Sequence, residues 1–483
     1  MKRNFAILSI LFFAITTCAF AGKDAYNIKL KIKGSKDSVL YLGTYFMGKQ
    51  YIKDTARIDQ AGYYTFKGKE KLDYGLYLVA SQKKVILFDI ILTEDFFSLE
   101  TDTTDYIKNM VVKGSAENTL FFNFLNYIGK KQSEIGPLSK ELKSAKDKKD
   151  SVKVKEIEKK LNAVDKEVKD YKLKFMKDNP KSFVSKIFNT SREPEIPDYS
   201  DKPKKEQDSL KFVYYKTHFF DYVDFSDERL LRTPVFHSKI TQYLDQLTIQ
   251  SPDSINAAAD YLINKCRANK EVFKYCVQYI TNNYESSNVM GYDAIAVHMY
   301  RKYYTTKQAF WADSVMLYKI TDRANIMEPL LIGKQCPTLV VMDTLAEVDI
   351  DKRVLTKPGN YHSLYDFKAK YTVLVFWDPD CGHCKTAIPK LRDEYKKIKA
   401  LGGDVFAVTT ESDTKKWKKF IIENKLPWFN GFDPGNENKI HTRFDIYSTP
   451  VIYILDEKKV IVAKRVGVEQ VVDVIDKIDK FKK

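Results

Sequence analysis

The spacing of apolar and polar positions changes twice along this chain. In the first part, from 24 to 115, the two kinds alternate: in "YNIKLKIKG", Ile28, Leu30 and Ile32 interleave with Lys29, Lys31 and Lys33. A period of two puts apolar side chains on one face of a strand and lysines on the other. "SVLYLGTYF", "GYYTFKG", "GLYLVAS", "KVILFDIIL" and "FFSLETDT" follow, separated by Gly, Asp and Ser. Short strands at such intervals predict a small all-β, sandwich-like domain over 24–115. No histidine occurs before His218, so this part reads as a structural or docking module.

From 116 to 325 the period lengthens. Ile157, Leu161, Val164, Val168, Tyr171 and Phe175 recur at 4-3-4-3-4 spacing, a stripe along one side of a helix. Leu138, Leu142 and Ala145 form a shorter stripe upstream, and the charged "KDKKD" at 146–150 marks the tip of a helical hairpin. Fewer than about four heptads are present, so the stripe reads as an internal packing seam in preference to a dimerising coiled coil. "REPEIPDYSDKPKKEQ" at 192–207 breaks the pattern, and Ser251-Pro252-Asp253 opens a further helix with an N-cap and a first-position proline. The region is predicted to be all-α.

The last part, 330–483, mixes both periods. "TVLVFW" is a continuous apolar strand, followed by a helix with Ile388, Leu391, Tyr395 and Ile398 on one face. "DVFAVTT" is a strand, "TKKWKKFIIENK" a helix, "VIYILDE" and "VIVAKRVG" a strand pair, and "VEQVVDVIDKIDKFKK" a closing amphipathic helix. This is an α/β domain. The predicted fold class is therefore multidomain: small β sandwich, helical middle, C-terminal α/β domain.

Composition supports several cores: of 483 residues 44% are apolar, with 31 Tyr and 30 Phe, which excludes a disordered chain. Lys and Arg number 80 against 64 Asp and Glu, a net charge of +16. The cations are spread among acids and form no nucleic-acid motif, so no nucleic-acid partner is expected. Diffuse basicity fits a solvated surface or weak attraction to anionic envelope components. At the N-terminus Lys2 and Arg3, the apolar run Phe5 to Ile15, and Ala19-Phe20-Ala21 predict a signal peptide over 1–21. Lipid attachment at Cys18 is disfavoured, because Thr17 stands where a smaller residue is usual. No later stretch reaches the roughly 18 apolar residues of a membrane span. An exported protein with no transmembrane segment after cleavage is expected, in a disulfide-permissive compartment.

Five cysteines follow the predicted cleavage point: Cys266, Cys276, Cys336, Cys381 and Cys384. They are too few to build a disulfide scaffold of this size. Cys266 and Cys276 flank a turn at "RANK" (267–270) and read as two buried thiols ahead of a bridge, which would need their Cα atoms within about 7 Å. His218, His237 and His298 lie 19 and 61 residues apart and show no metal-ligand spacing. The chemistry concentrates in "VLVFWDPDCGHCKTAIPKL", 373–391. Cys381 begins a predicted helix, where unpaired N–H groups and the positive end of the helix dipole favour a thiolate. Cys384 lies one turn further in. An exposed thiolate attacks a disulfide and the second thiol resolves the mixed disulfide. His383 adds positive charge beside Cys381, which lowers the thiol pKa and makes the pair a better oxidant. A zinc site would need a second cysteine pair, which is absent, so no metal is expected. A structural bridge across two residues would close too small a loop to stabilise much.

Several features at fixed spacings also carry a family resemblance. Trp377 stands four residues before Cys381, Pro389 five after Cys384, and Ser448-Thr449-Pro450 just before "VIYILDE". Gly333-Lys334-Gln335-Cys336-Pro337 precedes "TLVVMD". With these, residues 330–483 resemble the thioredoxin-like envelope reductases of the TlpA/ResA kind. The rest is similar to bacterial envelope proteins with a β domain and a helical region of unassigned function before a thioredoxin domain. The resemblance implies a thioredoxin fold and a substrate groove framed by Trp377, Gly382, Thr449 and a cis Pro450. It also implies protein substrates bearing disulfides or thiols, an upstream membrane or envelope electron donor or acceptor, and a periplasmic or envelope location.

One position departs from the pattern. Thioredoxins keep a buried acid six residues before the first cysteine; here that residue is Val375. Glu411 is the candidate replacement in the proton relay, with a water path as the alternative. The residue three before Cys381 is Asp378 where peroxiredoxin chemistry uses threonine. The sequence thus reads as an exported thiol–disulfide oxidoreductase that reduces or isomerises protein disulfides through Cys381 and Cys384, with no bound cofactor. The alternative is a redox-responsive binding or assembly protein in which the thioredoxin domain docks partners.

Overall fold

The computed structural model describes residues 24–349, 351–352 and 354–481, arranged as two compact units, Met1–Thr241 and Gln242–Lys483. The signal peptide predicted at 1–21, with Cys18, lies outside the described residues. The first unit opens with β1 (Tyr26–Lys33), β2 (Val39–Phe46), β3 (Lys49–Arg57), β4 (Tyr63–Gly68), β5 (Gly75–Ala80), β6 (Ile86–Leu92), β7 (Phe96–Asp102) and β8 (Val111–Lys113). They form two four-stranded sheets, ordered β4-β1-β7-β8 and β3-β2-β5-β6. Ile28, Leu30 and Ile32 point into the core with Leu40, Leu42, Phe66 and Val79, as the alternation in β1 requires. Strand β3 has no counterpart in the apolar pattern: only Ala56 of its nine residues is buried. It is held by main-chain pairing to β2 from Val39 opposite Arg57 to Phe46 opposite Lys49.

Helices α1 (Ala116–Asp147) and α2 (Ser151–Asp178) form the hairpin whose tip the charged run marks. Ser115 Oγ accepts the Asn118 N–H at 3.1 Å, and Asp150 Oδ1 accepts the Lys153 N–H at 3.0 Å, each satisfying a donor that a helix start leaves unpaired. The α2 stripe is used within the chain: Ile157, Val164 and Phe175 are buried, and Tyr171 stacks on Tyr127 of α1 with centroids 3.8 Å apart. Helices α3 (Phe183–Thr190), α4 (Lys204–His218) and α5 (Pro234–Asp245) follow. The boundary between the units falls inside α5.

The second unit begins with α6 (Pro252–Cys266), α7 (Lys270–Glu285), α8 (Asp293–Met299) and α9 (Ser314–Met327). Ser251 caps α6 and Pro252 takes its first position, as the sequence predicts. The α/β part comprises β9 (Val340–Met342), β10 (Glu347–Asp349), β11 (Val354–Lys357), β12 (Tyr361–Ser363), β13 (Tyr371–Trp377), α10 (Gly382–Ala400), β14 (Gly403–Thr409), α11 (Thr414–Glu423), β15 (Phe429–Phe432), α12 (Ile440–Arg443), β16 (Val451–Asp456), β17 (Ile461–Lys464) and α13 (Val471–Phe481). Its main sheet has seven strands, ordered β12-β9-β15-β14-β13-β16-β17.

Strand β13 is central and buried along its whole length. Tyr371, Val373, Val375 and Trp377 face a core with Cys384, Ile388, Leu391, Trp417, Val471 and Ile475. Leu374 and Phe376 face the opposite core with Phe406, Phe444, Tyr453, Leu330 and Cys336. A strand covered on both faces needs an unbroken apolar run, and "TVLVFW" supplies one. The segment 333–336 lies along β17, with the Gly333 N–H on Ile461 O at 2.8 Å and the Ile461 N–H on Lys334 O at 2.9 Å. The sequence reading supplied four strands here. Strand β15 escaped it because four residues between Pro427 and Pro434 carry no periodic signal.

Candidate functional site

Helix α10 starts where β13 ends. Cys381 is its N-cap, in extended conformation, and donates its N–H to Asp378 O at 3.2 Å. This leaves the Cys381 sulfur over the unpaired N–H groups of the first turn. Its Sγ lies 3.3 Å from the carbonyl oxygen of Thr449, and Thr449–Pro450 is a cis peptide bond. The Cys381 side chain is half-buried, while Cys384, one turn into the helix, is fully buried. Cys384 Sγ accepts the Asp378 N–H at 3.5 Å. Both are thiols.

The two sulfurs differ in acidity for visible reasons. Partial burial pushes the Cys381 thiol up. The Thr449 side chain, the N–H groups of Cys384 and His383 and the Cys384 thiol outweigh it and hold Cys381 below the ordinary thiol value. For Cys384 burial wins: with help from the neighbouring Cys381, it pushes the thiol up to about 11 against the Thr449 side chain and the Asp378 N–H. The pair is thus a half-buried group poised to ionise beside a fully buried one that holds its proton.

The other predicted site residues fall in different places. His383 is exposed and lines a cavity of about 500 Å³ that also takes in Pro450, Tyr447 and Lys390. Its backbone N–H is one of the groups that favour the Cys381 thiolate. Gly382 is exposed, and a Cβ placed there would meet nothing within 4 Å, so the space before Cys381 is open. Trp377 does not border this groove, contrary to the reading of the motif. It is wholly buried under the site and packs against Phe420 with centroids 5.0 Å apart. Its position at the last residue of β13 turns it into the helix-covered core.

Glu411, the proposed relay acid, stands in the loop before α11. Its carboxylate accepts the Asp413 N–H at 2.8 Å and the Ser412 hydroxyl at 3.2 Å. It lines another cavity, of about 730 Å³, with Thr409, Asp433 and His441. These bonds shape the loop before α11. Val375 sits in the core beside Cys384 with no carboxylate at that position.

The remaining thiols are set apart from solvent. Cys336 is buried and pushed up to about 12. Cys266 and Cys276 face one another across α6 and α7 with sulfurs 3.2 Å apart, and burial raises Cys276 well above the ordinary value. His218 pairs with Asp221 at 2.6 Å and His298 with Asp260 at 2.9 Å. Among the described residues no three metal-type side chains converge, and no helix is long and apolar enough to cross a membrane.

Groove residues not singled out from sequence include Lys390, Asp445, Tyr447 and Arg465. They come from separated segments and share no local motif. Only the nearness of 445–447 to the Ser448-Thr449-Pro450 loop could have pointed to two of them.

Comparison with known proteins divides the chain into three matched parts. Residues 332–464 match the AhpC/TSA family, residues 144–328 a domain of unknown function (DUF5106), and residues 26–121 another (DUF4369). A thiol-disulfide oxidoreductase ResA of Bacillus cereus is 25% identical over 164 residues, 34% of this chain and 79% of the relative. ResA of Bacillus anthracis shows the same identity and coverage. Among solved structures, a domain of a possible thiol-disulfide isomerase from Cytophaga hutchinsonii is 42% identical, covering 32% of this chain and 95% of that one, TM-score 0.28. A thioredoxin-like protein from Bacteroides caccae is 17% identical, covering 59% of this chain and 97% of that one, TM-score 0.44.

Proposed function

With residues 332–464 belonging to the AhpC/TSA family and homologous to the ResA thiol-disulfide oxidoreductases, we propose that the chain reduces or isomerises disulfides of exported proteins through Cys381 and Cys384. The observation that carries this reading is the contrast between the sulfurs: Cys381 is accessible and acidified at the start of α10, and Cys384 is buried with its pKa near 11.

The steps follow from that contrast. The Cys381 thiolate attacks one sulfur of a substrate disulfide, forming a mixed disulfide and releasing the other substrate sulfur as a thiolate that takes up a proton. Cys384 then loses its proton and attacks Cys381 Sγ, which expels the second substrate sulfur. Two electrons have passed to the substrate, and the Cys381–Cys384 disulfide remains. An envelope dithiol donor restores it for net reduction; for isomerisation the first mixed disulfide is instead returned to another substrate cysteine. The pair is itself the redox centre, so no bound cofactor enters. Export rests on the N-terminal pattern of 1–21.

Equilibration with glutathione buffers and thiol labelling tests the reading. Stabilising the Cys381 thiolate should set the potential above the ~ −270 mV of thioredoxin, toward the ~ −180 mV of disulfide isomerases. Cys381→Ser should abolish exchange and Cys384→Ser should trap mixed disulfides. Exchange that survives Cys381→Ser would sink the assignment.

A further inference from the structure

The loop between α12 and β16 is anchored by an unusual cluster. Asp445 is buried and left-handed, with φ +53°, a conformation that aspartate adopts more readily than most non-glycine residues. Two guanidinium groups hold its carboxylate. Arg323 of α9 binds both carboxylate oxygens, with Nη2 on Oδ2 at 3.1 Å. Arg465, just after β17, donates to Oδ2 at 2.5 Å. A bidentate, largely desolvated arginine–carboxylate pair is among the more directional contacts available to a protein.

The same arginine reaches two residues further along the loop. Arg323 Nη1 lies 3.5 Å from the Tyr447 hydroxyl, and its guanidinium carbon 5.5 Å from the ring centroid. The Tyr447 ring is nevertheless 78% exposed. It stands at the mouth of the groove formed with His383, Ala387, Pro450, Val451 and Val468. A single exposed tyrosine is ordinary. One held from behind by an arginine of another structural layer, two residues before the carbonyl that touches the attacking sulfur, has a defined place relative to the chemistry.

That place fixes what it can meet. Tyr447 lies two residues before Thr449 in a bend, so an extended substrate segment whose reactive cysteine lies at Thr449 carries a side chain two positions away, about 7 Å along it, past Tyr447. We propose that Tyr447 forms a side-chain subsite that takes an aromatic or apolar substrate residue two positions from the reactive cysteine, with Arg323 as its positioning residue. The proposal rests on the disulfide-exchange reading. It gives the helices preceding the α/β domain a part in substrate choice: α9 holds one wall of the groove.

The test uses the reduced full-length protein and disulfide-bonded peptides that differ only in Phe or Ser two positions before, or two after, the reactive cysteine. Second-order rate constants for the first exchange are compared, which requires no electron donor. Wild type should favour a Phe peptide by about three- to tenfold, the range of one aromatic contact. Tyr447→Ala should bring the ratio to about one. Arg323→Gln should lower it part of the way, and Arg323→Lys less far, with the reduction potential of the cysteine pair unchanged in both. Equal wild-type rates for Phe and Ser peptides, or an unchanged ratio in Tyr447→Ala, would overturn the subsite. An unchanged ratio in Arg323→Gln alongside a lowered one in Tyr447→Ala would overturn the positioning role. Failure of wild type to exchange with either peptide and with glutathione disulfide would overturn the underlying function.

Discussion

Thr449→Val isolates the hydrogen bond that tunes the pair. The Thr449 side chain favours both thiolates, and valine keeps its shape without the hydroxyl; the Thr449 carbonyl at 3.3 Å from Cys381 Sγ is untouched. A hydrogen bond to a charged group contributes about 1.5–3 kcal/mol when sheltered. Cys381 is half-buried, and water replaces part of what is lost, so about 1–1.4 kcal/mol is the fitting magnitude. That is about a five- to tenfold smaller thiolate fraction at neutral pH. The remaining thiolate is more nucleophilic, with a Brønsted slope of about 0.4–0.5, so exchange should slow only about two- to fourfold. Thiolate ultraviolet absorbance against pH reads the first quantity, and exchange with a small disulfide the second. Stability gives an independent sign. Cys381 is depressed in the folded protein, so the unfolded chain binds more protons between the folded and ordinary thiol values, and reduced-protein stability rises with pH there. Cys384 is raised, so above the ordinary value, up to about 11, stability falls again. Thr449→Val should flatten the rise and steepen the fall relative to the oxidised protein. A thiolate titration that does not move would refute the reasoning.

Three further outcomes are expected. Trp377→Ala should destabilise the α/β domain by about 3–5 kcal/mol, the usual cost of emptying a fully buried aromatic site, read as a lowered urea midpoint; a small loss would contradict its placement in the core. Alkylation of the native, reduced protein at neutral pH should modify Cys381 and spare Cys266, Cys276, Cys336 and Cys384, which are buried, as mass mapping of cysteine-containing peptides would show. Glu411→Gln should leave the pH profile of exchange where it is and change stability by less than about 0.5 kcal/mol, since the amide still accepts the Asp413 N–H. A displaced profile would return Glu411 to the proton relay.

What the sequence disclosed and what it hid follow one rule. Patterns that report burial of a whole face were legible: the alternation of β1, the α2 stripe, and the unbroken apolar run of β13 each name their surroundings. The place of Cys381 was legible because it depends on a local feature, the start of a helix. Strand β3 was not, because main-chain pairing holds it while its side chains face water. Trp377 was misplaced for a different reason: distance along the chain from Cys381 places it near the site but not on which side of the sheet it falls. The Arg323–Asp445 contact joins residues 122 positions apart, and no periodicity encodes such a meeting.

Val375 bears on how the second step can proceed without a buried acid. At about 11, Cys384 is ionised to roughly one part in ten thousand at neutral pH. Part of that elevation comes from Cys381 itself, through charge repulsion and hydrogen bonding between the two sulfurs. Once Cys381 is tied into a mixed disulfide it carries no charge, and that contribution disappears. The Thr449 side chain and the Asp378 N–H stay in place, and both favour the Cys384 thiolate. In the proposed exchange the first step would thereby ease the second: interacting thiols titrate as a pair, and removing one from the titration eases ionisation of the other. A carboxylate at 375 would instead have offered a base for the Cys384 proton, at the cost of a negative charge in the same core. With valine at 375, burial sets most of the Cys384 elevation and the state of Cys381 sets the remainder.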